Sequence, residues 1–144
     1  MIIMPQTPEE WRAATLFLSY HAGVVPSADM KIMGWVEDDA LKMCVCFNGF
    51  LGRVCQIHVG MSEGYNFTPR KMLDAVFDYT FNQLGLLKLI GIVNSKNERA
   101  MKYDLHLGFI EEHRMVGMHE DEGDIVIFGM TADQCKYLLE KDAA

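Results

Sequence analysis

The sequence predicts a single α/β domain, residues 1–144, built on a mixed, strongly twisted sheet of six to seven strands with about four helices on both faces. With 144 residues, of which 50% are hydrophobic, the chain suits one domain with one core and has no spare length for a second. Three consecutive strand-like runs precede the first strand-helix-strand unit, whose helix shows a three- and four-residue periodicity. Residues 88–93 return as a strand after a whole helix, so they must run parallel to an earlier strand.

Residues 1–4 predict a short first strand, and a helix begins soon after it. Thr7 is a typical N-cap, Pro8 suits the first helical position, and Glu10 completes a capping box. Gly23 is expected to end this helix. We expect the helix to cover the sheet and to line one side of a cleft.

Three strands with short connections follow, over 31–36, 40–47 and 53–61, and they predict an antiparallel meander. Asn48-Gly49 is a strong hairpin signal, although the return strand starts only after residue 52. The third of these strands is expected to be the central one.

The second half of the chain alternates between helices and strands. Thr68 as N-cap and Pro69 as first helical residue predict a helix that runs to about Leu84 and ends at Gly85. The later elements are a strand over 88–93, a helix over 97–107, strands over 113–118 and 124–130, and a helix over 131–141. The predicted order is therefore β-α-β-β-β-α-β-α-β-β.

Charge and cysteine content exclude some classes of function. Thirteen basic and twenty acidic residues give a net charge of -7, which disfavours nucleic acid as a partner and suits either an amine-bearing substrate or plain solubility. The N-terminus lacks the basic region of a signal peptide, and no apolar run reaches the ~18 residues that span a bilayer. We therefore expect a cytoplasmic protein without membrane contact, whose cysteines are reduced. Cys44 and Cys46 share one strand face but lack zinc-ligand spacing to other residues, so no metal is expected.

A family resemblance begins after the strand over 88–93. Asn97 and Ala100 form N-x-x-A, and Gly108-Phe109 follows eight residues after the alanine. This pattern is similar to the final motif of the GNAT superfamily of N-acetyltransferases, and the element order is similar too. The resemblance implies that acetyl-CoA is a cosubstrate and lies near Asn94 and Asn97. It further implies that a small-molecule or peptide amine attacks the thioester directly.

The resemblance also implies where the cofactor's diphosphate binds. The family's glycine-rich loop corresponds here to residues 63–71, which lack the glycine pair. Thr68, Arg70 and Lys71 remain as candidate phosphate ligands, since cations in a first helical turn are unfavourable unless an anion is bound. The alternative is a solvated loop with two surface cations.

The end of the central strand is the second implied cofactor contact. Val59, Gly60 and Met61 occupy the position at which the family's strand edge binds the pantetheine arm. A glycine inside a strand often marks a bulge or a close approach by a ligand. The alternative is an ordinary strand end.

His58 and Tyr103 are the candidate catalytic residues. His58 lies on the central strand and could act as general base, or it could be a hydrogen-bonded structural residue. Many relatives place a tyrosine seven residues after the asparagine to protonate the thiolate, but here that position is Asp104 and the tyrosine is Tyr103. One residue is about 100° of helix rotation, so we expect only one of the two side chains to point into the cleft. Tyr103 could equally be a core residue.

A second hypothesis from a different class stays open. The altered phosphate loop and displaced tyrosine favour a degenerate GNAT-fold protein that acts as a non-catalytic binding module. Exposed apolar residues such as Phe50 and Leu51 could mark a homodimer face.

Overall fold

The structure is a computed structural model that describes residues 1–138. Its strands are β1 (Ile2–Ile3), β2 (Lys31–Glu37), β3 (Ala40–Leu51), β4 (Val54–Met61), β5 (Lys88–Asn94), β6 (Ile110–Met115) and β7 (Ile125–Thr131). Its helices are α1 (Pro8–Ala22), α2 (Arg70–Asp78), a π-helical continuation of α2 (Tyr79–Gln83), α3 (Glu98–Leu107) and a 3₁₀ turn (Ala132–Gln134). The predicted fold class and element order are confirmed.

The strands form one seven-stranded sheet in the order β1-β2-β3-β4-β5-β7-β6. Every neighbouring pair is antiparallel except β4 and β5, which are parallel. A parallel pair needs a long crossover, and α2 with its π-helical continuation supplies it. The meander predicted for the first half of the chain is therefore confirmed, and β4 is the central strand.

The two faces of the sheet bury different helices. On one face, α1 packs Leu18 against Cys44 and Cys46 of β3. On the other face, the chain that follows β4 covers a larger core that includes Phe47, Phe77 and Phe128. Alternation along β3 and β4 decides which side chain belongs to which face. None of the helices in the described residues is long and apolar enough to cross a membrane.

The local signals at the start of α1 act as predicted. Thr7 accepts a hydrogen bond from the Glu10 amide, and the Glu10 side chain accepts one from the Thr7 amide, which completes the capping box. Pro8 is the first helical residue, and Gly23 ends the helix with φ 64°. All of these contacts lie within four residues of each other, which is why the sequence alone predicts them.

Two strand boundaries differ from the prediction. β3 continues through Asn48-Gly49, where the β3–β4 register shifts, and the chain turns only at Gly52. The predicted hairpin turn is therefore a strand irregularity. β6 begins at Ile110 and ends at Met115, because Gly117 adopts φ 68° and its amide donates to the Asp124 carboxylate.

Two helix boundaries differ as well. α2 begins at Arg70 with Pro69 as N-cap and without a side-chain cap bond, so the capping role predicted for Thr68 is wrong. The π-helical continuation ends before Gly85, as predicted. Thr131 caps the 3₁₀ turn, and the last part of the helix predicted over 131–141 lies outside the described residues.

Candidate active site between two diverging strands

The parallel strands β4 and β5 pair only at one end. Their ladder joins Val54 to Lys88, Cys55 to Leu89 and Gln56 to Ile90, and it stops there although both strands continue. β3 stays paired with β4 as far as Met61, and β7 stays paired with β5 as far as Asn94. Each strand therefore remains in the sheet through its outer neighbour, while a gap separates the two inner edges.

A cleft of about 520 Å³ occupies this gap, which is within the usual size range of small-molecule sites. Its walls come from β4, β5, α3 and the end of α1. The lining residues are His21, Ala22, Ile57, His58, Val59, Met61, Asn66, Gly91, Ile92, Val93, Asn94, Asn97, Arg99, Ala100, Tyr103, Asp104, Leu107 and Phe109. The structure thus brings His58, Val59, Met61, Asn94, Asn97 and Tyr103 of the predicted site to one cleft. Gly60, Thr68, Arg70 and Lys71 do not line it.

His58 lies on the α1 side of β4, opposite Cys46 in the ladder. Its Nε2 is 2.9 Å from Oδ1 of Asn48. Because an amide oxygen only accepts, Nε2 carries the hydrogen and Nδ1 keeps its lone pair. Burial lowers the pKa of His58 below its ordinary value, so the ring is neutral at pH 7. A neutral imidazole with a proton-accepting nitrogen is what a general base requires; the role itself stays a prediction.

Gly60 faces α1 rather than the cleft. The β3–β4 register is continuous from Val45 to Met43 opposite Val59 to Met61, so Gly60 does not mark a bulge. A Cβ added to Gly60 would lie 3.3 Å from His21 Cβ, 3.5 Å from Ala22 Cβ and 3.6 Å from a ring carbon of Phe17. The close packing of a helix therefore explains the missing side chain, and the contact of Gly60 with a cofactor stays a prediction.

Tyr103 and Asp104 both line the cleft, so the expectation that only one of them does is wrong. The Tyr103 hydroxyl is 2.9 Å from the Thr68 hydroxyl, on the side where α2 begins. The Asp104 carboxylate lies over Gly91 of β5, where an added Cβ would be 3.1 Å from Oδ2. The rotation of about 100° between the two residues directs their side chains to two different walls of the same cleft. It does not direct one side chain into the cleft and the other away from it.

Burial changes the acidity of both side chains. It raises the pKa of Tyr103 to about 12, and the hydrogen bond with Thr68 opposes this rise. It raises the pKa of Asp104 to about 7, well above the ordinary range of a carboxyl. The predicted proton donor, Tyr103, is thus the weaker acid of the two.

Comparisons with known proteins find similarity in structure alone. No protein-family model matches the chain, and no curated protein matches it in sequence. A mutant form of the spermidine/spermine N-acetyltransferase SpeG from Vibrio cholerae superposes with a TM-score of 0.76 at 15% identity, over 97% of this chain and 98% of that one. The chain has the GNAT fold.

Two further structures agree. SpeG from Vibrio cholerae in complex with manganese ions gives a TM-score of 0.74 at 15% identity, over 97% of this chain and 95% of that one. A probable acetyltransferase gives a TM-score of 0.63 at 15% identity, over 74% of this chain and 64% of that one. At these identities the similarity concerns the fold, and the resemblance read from Asn97 to Phe109 is confirmed at that level.

Residues 63–71, which the resemblance matches to the family's phosphate loop, lack the family's glycine pair. Arg70 pairs with Asp74 at 2.9 Å, and its guanidinium lies 4.9 Å from the centre of the Tyr137 ring. Thr68 already bonds to Tyr103. Two of the three predicted phosphate ligands therefore have internal partners, and the role of Thr68, Arg70 and Lys71 stays a prediction.

The asparagines of the GNAT motif are used in local structure. Asn97 Oδ1 accepts from the Ala100 amide at 3.1 Å and caps α3. Asn94 accepts from the Lys96 amide at 3.1 Å and donates to Asp121 at 2.7 Å. Both shape the turn at the cleft's edge, and their contact with a cofactor stays a prediction.

Arg99 is a cleft residue that the sequence analysis missed. Its Nη2 donates to the Tyr65 carbonyl and to Asn66 Oδ1, each at 3.1 Å. Both acceptors are neutral, and within residues 1–138 no carboxylate pairs with it. Arg99 is the second residue of α3, where a cation opposes the helix dipole. The same argument that selected Arg70 from the sequence could have selected Arg99.

Proposed function

We propose that this protein is an N-acetyltransferase that transfers an acetyl group from acetyl-CoA to an amine by direct attack. The observation that carries the proposal is the gap between β4 and β5, where two neighbouring strand edges border the cleft without pairing with each other. The shared fold with the spermidine N-acetyltransferases supports the reaction class. The acceptor is a small-molecule or peptide amine.

The gap suits the pantetheine arm of acetyl-CoA because unpaired strand edges bind extended chains that carry amide groups. Val59 and Met61 line the cleft on the β4 edge. A backbone N–H of this edge is the group proposed to polarise the thioester carbonyl. Arg99 adds a cation without a carboxylate partner in the described chain, and it is a diphosphate ligand under this proposal.

The state of the cysteines supports the direct route. None of the four lines the cleft, and all are buried. Burial raises the pKa of Cys44 and Cys55 to about 12 and that of Cys46 to about 11. Since the thiolate is the reactive form, an acyl-cysteine intermediate is disfavoured. The amine nitrogen attacks the thioester carbon, and His58 takes the proton that the nitrogen loses.

The alternative proposal is a non-catalytic binding module with the same fold. It is favoured by the phosphate loop, in which the glycine pair is missing and Arg70 is paired with Asp74. Under this alternative the cleft binds CoA weakly or not at all.

Calorimetric titration of the full chain with acetyl-CoA separates the two proposals, followed by a thiol-release assay with polyamines, peptide N-termini, lysine peptides and aminoglycosides. Binding together with amine-dependent release of CoA supports the enzyme. His58→Gln should then lower turnover by about 10²- to 10³-fold with unchanged affinity for acetyl-CoA. Absence of both binding and thiol release in the wild-type protein overturns the enzyme proposal.

A homodimer stays a prediction. Leu51 is 77% exposed, while Phe50 is partly covered and has the Lys31 ammonium 6.0 Å from its ring centre. Light-scattering mass measures the oligomeric state directly.

A further inference from the structure

The Asp104 carboxyl occupies a space that a glycine leaves open. Gly91 lies in the middle of β5 and is buried, and the carboxylate of Asp104 lies where a side chain of residue 91 would otherwise be. Oδ2 would be 3.1 Å from a Cβ at that position, and the next nearest neighbour is Cβ of Phe128 at 4.0 Å. α3 therefore places an acidic group against the floor of the cleft.

This carboxyl has no partner in the described part of the chain. Asp104 is half-buried and keeps some contact with solvent, but no hydrogen bond or ion pair joins its carboxyl to any of residues 1–138. The titratable side chains that line the same cleft are His21 from α1, His58 from β4, and Arg99 and Tyr103 from α3 itself. On this side, β5 and β7 contribute glycine and apolar side chains, namely Leu89, Gly91, Val93, Val126, Phe128 and Met130. Loss of solvation raises the pKa of Asp104 to about 7, so protonated and ionised forms coexist near neutrality.

Asp104 and His58 lie on opposite faces of the sheet at the gap. His58 shares the α1 face with Cys46, while Asp104 approaches Gly91 from the face that α3 covers. A thioester held between the strands would have a base on one side and an acid on the other. This arrangement lets the amine arrive from one face while the sulfur departs toward the other.

We propose that Asp104, in its protonated form, donates a proton to the sulfur of CoA as the thioester breaks. The proposal rests on the acetyltransfer function proposed above. The amine nitrogen forms a bond to the carbonyl carbon and its proton passes to His58. The C–S bond then breaks, the electron pair stays on sulfur, and the Asp104 proton moves to it. Release of the His58 proton to solvent and reprotonation of Asp104 from solvent complete the cycle.

Relative acidity favours Asp104 over Tyr103 for this step. A thiol of the cysteine type has a pKa of ~8.5, so a carboxyl with a pKa of about 7 gives its proton to the thiolate downhill. A phenol with a pKa of about 12 would transfer its proton uphill. The Tyr103 hydroxyl is also engaged with Thr68.

The test compares Asp104→Asn with Tyr103→Phe, and with Glu98→Gln as a matched control on the exposed first turn of α3. Thiol release is measured from pH 5.5 to pH 9, and acetyl-CoA affinity is measured by calorimetry for each variant. We expect the wild-type kcat to fall as the pH rises through about 7. Asp104→Asn should lower kcat by about 10²-fold and remove this descending limb, with affinity changed less than about twofold. The Tyr103→Phe and Glu98→Gln variants should keep the descending limb of the pH profile.

Three results overturn the proposal. An Asp104→Asn enzyme with wild-type kcat and the wild-type pH profile shows that the carboxyl is a bystander. A wild-type rate that rises through pH 7, with the rise lost in Asp104→Asn, makes the carboxyl a base. If the wild-type protein transfers no acetyl group, whether or not it binds acetyl-CoA, both the proposed acetyltransferase function and this role of Asp104 are wrong. This result differs from the first two, in which the wild-type protein is active.

Stability gives a readout that does not depend on activity. The folded state holds its Asp104 proton up to about pH 7, whereas an unfolded aspartate loses it near ~3.9. Between these values the native state binds more protons, so stability falls as the pH rises. Asp104→Asn should therefore raise the thermal midpoint relative to wild type at pH 8 and lose this advantage toward pH 4. An equal difference at both pH values would show that the carboxyl is not held protonated.

Discussion

The two edges of β4 behave differently, although they belong to one strand of eight residues. The edge that faces β3 is paired as far as Met61, whereas the edge that faces β5 is paired only as far as Gln56. The closed edge is backed on both faces by buried side chains, and the open edge borders the cleft. The comparison shows that the same strand serves stability on one side and, under the proposed function, ligand binding on the other.

The largest effect on stability should come from a core substitution on the side of β4 that is paired with β3 as far as Met61. Phe47 of β3 is fully buried and its ring centre lies 5.5 Å from that of Tyr79. Phe47→Ala should lower the free energy of unfolding by about 3–5 kcal/mol because it leaves a cavity in the core. Urea denaturation measures this loss.

The matched variant on the open side is Ile92→Ala in β5. Ile92 is 45% exposed and lines the cleft, so its truncation should cost less than about 1 kcal/mol. If the two variants lose similar stability, the distinction between the two edges is incorrect.

An intermediate effect on stability is expected at Gly60, the residue of β4 that packs against the end of α1. Gly60→Val should lower stability by about 1–3 kcal/mol, since its methyl groups would overlap with His21, Ala22 and Phe17. The affinity of the folded protein for acetyl-CoA should change less than about twofold. Gly60→Ala, with a single Cβ at 3.3 Å from His21 Cβ, should cost less. Loss of affinity without loss of stability would instead support the cofactor contact that the family resemblance implies.

The smallest effect concerns the cations near the open side. Arg99→Gln should weaken binding of acetyl-CoA by about 5- to 10-fold, because the guanidinium lines the cleft without a carboxylate partner among residues 1–138. Arg70→Gln is the matched variant, and it should have a smaller effect because Asp74 already balances Arg70. Titration calorimetry at two salt concentrations measures both. A larger loss for Arg70→Gln would place the diphosphate at the start of α2.

The sequence predicts well those features that depend on neighbouring residues. Thr7, Glu10 and Gly23 fix α1 through contacts within one helical turn, and the order of elements follows from such signals. Features decided by distant contacts were missed. Asn48-Gly49 is typical of a hairpin turn, but pairing with β4 continues past it. Thr68 is typical of a helix cap, but its hydroxyl bonds to Tyr103, 35 residues later.

The candidate site shows the same division. The motif spacing selects a helix that lines the cleft, and Asn97 and Tyr103 are among the lining residues. It gives no role to Asp104, because the significance of that carboxyl comes from Gly91 beneath it and from the loss of water around it. Neither property is visible in the helix's own sequence. Gly60 is the opposite case: a local rule about strand glycines suggested a ligand, whereas the close packing of α1 already accounts for the missing side chain and the cofactor contact stays a prediction.

The outer pairings of β4 and β5 have a consequence for selectivity. Peptide groups along the open edges must find hydrogen-bond partners either in solvent or in whatever enters the slot. A ligand whose chain carries amide groups can replace the hydrogen bonds to solvent, whereas an alkyl chain of equal length would leave the peptide groups without hydrogen-bond partners. Because the β4–β5 ladder already stops at Gln56 and Ile90 without a ligand, no strand pairing has to be broken before such a chain enters the cleft.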